Sequence, residues 1–291
     1  MAKTKIEWAE HTINPIRVQG GWACTKISPG CQNCYSEAMN KRFGDGKPYD
    51  NSPKEYVLNL SVFDKLPDKP TTVFVQSMSD LFHPDVPDDF IDKVFSMMAI
   101  YTEHQFLILT KRIEQMREYF AVPSEDLWAD RWTQCEEPSA TVFPLPNVAL
   151  GVTVESPEYL WRIEKLLQIP AAIRFVSLEP LLGDIDLTRV VDSRWEDKPY
   201  MNVLAGSIWN DEMGTYADGE KLDWLIVGPE TGPHRRPCPI EWIEHIVEQC
   251  QAADVPVFVK ALSINGKISK NMADWPEHLR LRQMPEGWGN D

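Results

Sequence analysis

Three of the six cysteines lie within eleven residues, and that cluster is the part of the sequence best suited to chemistry. The segment Gly21-Trp-Ala-Cys24-Thr-Lys-Ile-Ser-Pro-Gly-Cys31-Gln-Asn-Cys34-Tyr35 spaces them as C-x6-C-x2-C. Gly20, Gly21, Pro29 and Gly30 mark a loop, and a helix is expected to begin near Cys34 and run through Arg42. Cys31 and Cys34 can reach one metal or cluster, with the third thiolate supplied by the loop. The ligand count then decides the chemistry. A structural zinc ion takes four ligands, so a fourth would come from elsewhere, with His11, Cys238 and His234 as candidates. A 4Fe–4S cluster also has four corners, and three thiolates leave one iron open to a substrate or cofactor. A thioredoxin-like pair at Cys31 and Cys34, or purely structural thiols, are the other readings. The iron–sulfur reading is preferred.

A second set of chemically useful residues recurs after short apolar runs. It comprises Ser77, Ser79 and Asp80; Lys111; Thr153 and Glu155; Ser177 and Glu179; Glu230 and Arg235; and Lys260. The runs that precede these residues read as buried strands: Thr72–Gln76, Gln105–Thr110, Val148–Val152, Ile173–Ser177, Leu222–Gly228 and Val257–Lys260. Helical spacing follows at Pro87–Tyr101, Ile113–Phe120, Pro157–Leu167 and Pro239–Ala253. A seventh strand is expected before Cys24. Near-continuous apolar strands alternating with amphipathic helices imply a parallel sheet covered by helices. Two architectures fit: a partial or full TIM-like (β/α) barrel, or a doubly wound open sheet. Polar residues at nearly every strand end favour the barrel, whose active sites gather there. Helix caps and turns would use the same residue types.

The 291 residues carry 29 Lys and Arg against 44 Asp and Glu, a formal net charge of −15. An acidic chain with scattered cations argues against a generic polyanion binder, although a local basic site is compatible with it. No apolar run approaches the roughly 20 residues of a membrane span. No signal-peptide segment opens the chain, so a cytoplasmic location is expected. The whole of 1–291 reads as one barrel domain. Residues 122–146 and 184–221 look like loop insertions that could form a lid or partner surface, and the tail after about Ala261 could cover one barrel end. Cys250 reads as core packing. Trp8 and Trp22 are either shields for a cluster or core anchors. His83 is either a proton carrier or a capping residue.

The cysteine loop with Tyr35 resembles the three-cysteine motif of a phage and prophage family of unsettled function, itself reminiscent of radical S-adenosylmethionine (SAM) enzymes. Val75–Phe82, Leu109–Arg112, Phe175–Gly183 and Ile226–Gly232 carry the resemblance further, to about Lys260. Two departures stand out: radical SAM enzymes usually space their first two cysteines by three residues, and the family usually has Gly-Gly-Glu-Ser where this chain has Gly228-Pro-Glu-Thr231. The resemblance implies a radical-SAM-like fold, a 4Fe–4S cluster on Cys24, Cys31 and Cys34, bound SAM, and an electron donor. It implies that Glu179 and Glu230 accept bonds from an ammonium or ribose hydroxyls, and that Lys111, Arg235 and Lys260 bind a carboxylate or phosphate, with Lys111, Glu179 and Glu230 catalytic. Ser77, Ser79, Asp80, Thr153, Glu155 and Ser177 would complete the cofactor site. The implied activity is reductive SAM cleavage to modify a nucleoside or nucleic acid. The rivals are a zinc-stabilised nucleotide-binding or hydrolytic barrel, and a non-enzymatic accessory protein that engages a partner protein.

Overall fold

The structure, a computed structural model, describes residues 4–121, 143–212 and 214–289. Seven strands form one parallel sheet: β1 (His11–Ile13), β2 (Thr72–Val75), β3 (Gln105–Thr110), β4 (Val148–Thr153), β5 (Ile173–Leu178), β6 (Trp224–Val227) and β7 (Val257–Val259). Their order in the sheet is their order in the chain. A doubly wound sheet reverses its order at a switch point, and this one does not. The α/β fold is therefore compatible with a partial β/α barrel, as the strand-end residues led one to expect. β2, β4, β6 and β7 are buried at every position, which explains why they read as continuous apolar runs.

Five α-helices are described: α1 (Tyr35–Phe43), α2 (Asp88–Ile100), α3 (Ile113–Phe120), α4 (Trp161–Leu166) and α5 (Ile240–Ala252). The expected bounds hold within a residue or two except at the start of α4, which comes four residues late, and the differences have physical reasons. Pro87 caps α2 in an extended conformation instead of opening it. Pro157 opens a 3-10 turn at Pro157–Tyr159, and α4 begins only after it. β2 stops at Val75 because Gln76 turns into the left-handed region at φ +64. Its side chain makes that turn stable: Oε1 accepts from Ile16 N at 3.0 Å and Nε2 donates to Ile16 O at 2.6 Å.

The chain divides into two compact units, Met1–Leu150 with Ile169–Ala172 and Trp288–Asp291, and Gly151–Gln168 with Ile173–Gly287. In the first, α2 and α3 pack through a cluster of Phe82, Phe95, Tyr119 and Phe120, with ring centroids 5.1–6.3 Å apart. Most of the expected insertion at 122–146, and Cys135 with it, lies outside the described residues. Leu145 within it is buried.

In the second unit, the stretch 184–221 holds a four-stranded antiparallel sheet made by Val190–Val191, Tyr200–Asn202, Ser207–Asn210 and Gly214–Asp218. The tail beyond Ala261 forms a hairpin, Leu262–Ile264 with Lys267–Ser269. It then returns along the edge of β7: Val259 N donates to Leu281 O at 2.8 Å and Gln283 N to Val257 O at 3.2 Å. Trp224, fully buried on β6, donates its indole N–H to Gln283 O at 2.9 Å.

Gly151 in β4 leaves room for one ring. A Cβ there would sit 2.5 Å from the Phe175 ring on β5. Gly151→Ala is expected to lower unfolding stability by about 1–3 kcal/mol through overpacking. Urea titration measures this, and an unchanged midpoint would refute the close packing.

Candidate functional site

In the first unit, the cysteine loop is fixed from both ends. Pro29–Cys31 makes a 3-10 turn, closed by Cys31 N donating to Ser28 O at 2.9 Å. Cys34 occupies the N-cap of α1, so its thiol stands where the helix begins, 3.1 Å from Ser36 Oγ. Upstream, Tyr56 donates its hydroxyl to Ala23 O at 3.1 Å.

The loop is held against the carboxyl ends of β2 and β3 by Arg112. Its Nη1 lies 2.9 Å from Asp80 Oδ2 and 3.6 Å from Cys24 Sγ, and its Nη2 donates to Thr25 O at 2.9 Å and Thr25 Oγ1 at 2.6 Å. Asp80 accepts further bonds from Thr110 Oγ1 at 2.7 Å, Phe82 N at 3.1 Å and Lys111 N at 3.2 Å. Both Asp80 and Arg112 are buried. Burial alone would lower the Arg112 pKa, but Asp80 and then Cys24 outweigh it and hold the guanidinium charged.

All three loop thiols are free and half-buried. Burial, the largest influence, lifts Cys24 to about 11 against the opposing pull of Arg112, and Asp80, Cys34 and Cys31 add to the rise. The three sulfurs are thus close enough to feel one another's charge. Among the described residues, no three His, Cys, Asp or Glu side chains are grouped as ligands of a single metal ion. A tetrahedral zinc would draw its thiolates to within roughly 3.8 Å of each other, given Zn–S bonds of about 2.3 Å. A polynuclear cluster spreads its thiolates over separate metal atoms.

Of the expected fourth ligands, only His11 shares the first unit with this group, and it lies apart from it. His11 opens β1 at its amino end, where His104 is its electrostatic neighbour. Cys238, in the second unit, is buried, with burial lifting its pKa to about 12. His234 belongs to the second unit as well.

The remaining strand-end residues of the first unit line the loop's support. Ser77 Oγ lies 2.7 Å from Thr12 Oγ1 and 3.4 Å from Asn14 Oδ1, while its carbonyl accepts from Tyr35 OH at 2.6 Å. Ser79 Oγ accepts from the Gln76 amide. Lys111 is half-buried, with only its backbone N–H turned to Asp80. His83 is a capping residue: its Nδ1 accepts from Asp85 N at 3.2 Å, which leaves the proton on Nε2, 3.1 Å from Thr25 Oγ1. Burial, then Arg112, pushes its pKa down to about 4. Trp8 is a core anchor packed on Phe74, with ring centroids 4.7 Å apart.

The second unit carries its own strand-end residues, each carboxylate matched to a cation. Glu155 is fully buried and pairs with Arg162 at 2.9 Å, and Arg162 also donates to Thr153 O at 2.8 Å. Glu179 pairs with Lys260 at 2.9 Å and presses against Gly228, where a Cβ would meet Oε1 at 2.9 Å. Glu230 accepts from Arg236 N at 2.8 Å and from its guanidinium at both oxygens. Ser177 is buried on β5, its carbonyl accepting from Val154 N at 3.0 Å. Arg235 is exposed and donates to Gly232 O at 3.1 Å and Gly266 O at 2.5 Å. Cys250 is fully buried packing on α5.

Arg112, Arg162 and Arg236 are the residues that sequence reasoning passed over. For Arg112 no local signal existed: the strand ends at Thr110, and Arg112 reaches Asp80 and Thr25 from the cap of α3.

Residues 3–275 match the model of a family described as "Protein of unknown function (DUF5131)". The chain belongs to this family. No curated protein and no solved structure matches it. No helix among its described residues is long and apolar enough to cross a membrane.

Asp80→Asn removes the charge that Arg112 is buried against, and is expected to destabilise the fold by about 3–5 kcal/mol. Urea unfolding monitored by tryptophan fluorescence measures this. A loss below about 1 kcal/mol would show that Arg112 holds the loop without Asp80.

Proposed function

We propose that this protein is a radical-SAM-like iron–sulfur enzyme. The observation that carries the proposal is the trio of half-buried thiols of Cys24, Cys31 and Cys34 in one loop, none of them in a disulfide, with a buried arginine beside the first. Three thiolates are one short of the four corners of a 4Fe–4S cluster, and that shortfall is what an open iron requires. When bound, such a group supplies a single electron to a carbon–sulfur bond of SAM and starts hydrogen abstraction from a substrate.

The protein's own groups do the positioning. Arg112 would offset the charge of a metal-bound Cys24 thiolate and ties the loop down through Thr25. Tyr56 and Tyr49 fasten the flanking backbone, at Ala23 O and Met78 O. Lys111 stands at the same strand end, suited to a carboxylate or phosphate. Taken by itself, the second unit offers alternating acids and bases after its strands. Glu179 with Lys260, and Glu230 with Arg236, suit a zwitterion or ribose hydroxyls. The matched charges also avoid burying a lone charge. The proposed substrate is a nucleoside or nucleic acid, with an electron donor as the partner.

Anaerobically reconstituted protein is expected to hold about four irons per chain, with matching sulfide, and to cleave SAM under dithionite. Cys31→Ala is expected to lose the iron while keeping its fold by circular dichroism. Full iron content in that variant, or stoichiometric zinc with no iron in the natural chain, would overturn the assignment.

A further inference from the structure

The helix that follows the cysteine loop is inside out. α1 buries Ser36, Glu37 and Asn40 and exposes Tyr35, Met39 and Phe43, which lie four residues apart along one face. Phe43 is 60% exposed, Tyr35 51% and Met39 43%, with Ile27 of the loop at 44%. The buried side is satisfied by polar bonds. Glu37 pairs with Lys26 at 2.7 Å and Lys41 at 2.9 Å, and Asn40 donates to Asp45 at 2.8 Å and accepts from Trp22 N at 2.9 Å. An outward stripe of large apolar side chains on a single helix marks a contact surface.

Its chemistry points to one kind of occupant. Tyr35 donates its hydroxyl to Ser77 O at 2.6 Å while half the residue faces solvent, so the ring is exposed and held still. Arg42 lies 4.8 Å from the centre of the Phe43 ring. Residues 17–57 hold six Lys and Arg against four Asp and Glu, whereas the whole chain holds 29 against 44. A locally cationic stretch of an acidic protein thus coincides with its exposed aromatic stripe. Phe43 also borders a cleft of about 890 Å³ with Trp22 on its wall, within the range of small-ligand sites. In the cleft Asp45, Asp50 and Glu55 balance Arg17, Lys47 and Lys54, so it suits a base more than a phosphate. Lys26, Lys41 and Arg42 flank the stripe outside it.

We infer that the face formed by α1 and the cysteine loop binds single-stranded nucleic acid. Bases stack on Tyr35 and Phe43, and the backbone runs past Lys26, Lys41 and Arg42. Aromatic stacking beside cations is the usual physics of strand binding without sequence preference. A duplex keeps its bases stacked inside and offers these rings nothing to hold. The inference deepens the proposed function by naming the form of its substrate, and its test reads binding alone. Iron content therefore reports on the one, and binding on the other.

The test is fluorescence anisotropy of the full chain with a labelled mixed-sequence 20-nucleotide single strand, in DNA and RNA forms. The natural chain is expected to bind it, more weakly as salt rises, and to prefer it to the matching duplex. Phe43→Ala and Arg42→Gln, both at exposed positions, are each expected to weaken binding about 5- to 100-fold with unchanged melting temperature. The natural chain prepared without iron or sulfide is expected to bind as the reconstituted chain does. Failure to bind either strand at about 50 mM salt would overturn the inference. So would binding that Phe43→Ala leaves intact. Self-association abolished by Phe43→Ala, with no oligonucleotide bound, would assign the stripe to a protein partner instead.

Discussion

A guanidinium and a carboxylate withdrawn from water, Arg112 and Asp80, govern the chemistry of the first unit. Each comes from the turn after a different strand, and each uses several of its bonding positions. Asp80 gathers the Thr110 hydroxyl and the Lys111 amide as well as Arg112. Arg112 spends its other donors on Thr25 and on the sulfur of Cys24. The loop between Cys24 and Cys34 has little regular structure of its own, so its place is set from outside. A buried ion pair is weak evidence for stability, since apolar replacements often do as well. Its value here is geometric. A forked cation fixes the direction of several partners at once, and an apolar side chain of the same size would leave the thiol unaimed.

The second unit solves a related problem with repetition. Glu155 with Arg162, Glu179 with Lys260 and Glu230 with Arg236 each place a carboxylate after a strand and match it with a cation. The pairs differ in exposure, from the fully buried Glu155 to partners open to solvent. This gradient separates structure from opportunity. A sealed pair is committed to holding its own turn, whereas Lys260 and Arg236 keep part of their surface available to another molecule.

How much of this was legible in the sequence depended on the range of the interaction. Strands buried on both faces announce themselves by composition, and β3 and α3 begin and end where their patterns say. The small antiparallel sheet between Val190 and Asp218 was missed because its strands are two to five residues long and sit in a polar stretch. Residues suited to chemistry were legible as types, but their partners were not. Thr25 lies 87 positions from Arg112, and nothing local in either announces the other. Lys111 drew attention because a lysine after a strand looks functional, while its neighbour Arg112 makes the contact with the loop. The inverted helix α1 escaped notice for the opposite reason. Its apolar spacing is regular, and spacing alone says nothing about which side faces water.

The return of the tail along β7 has a consequence for how the molecule comes into being. A parallel sheet with a free border exposes a row of unpaired amides and carbonyls that another chain can pair with. Leu281 and Gln283 cover that border on Val257 and Val259, and they are made some twenty residues after the strand they cover. During synthesis the second unit therefore passes through an interval in which its final strand is formed but unguarded. The segment around Leu281 and Gln283 acts as a built-in guard for its own sheet, arriving only after the strand it covers.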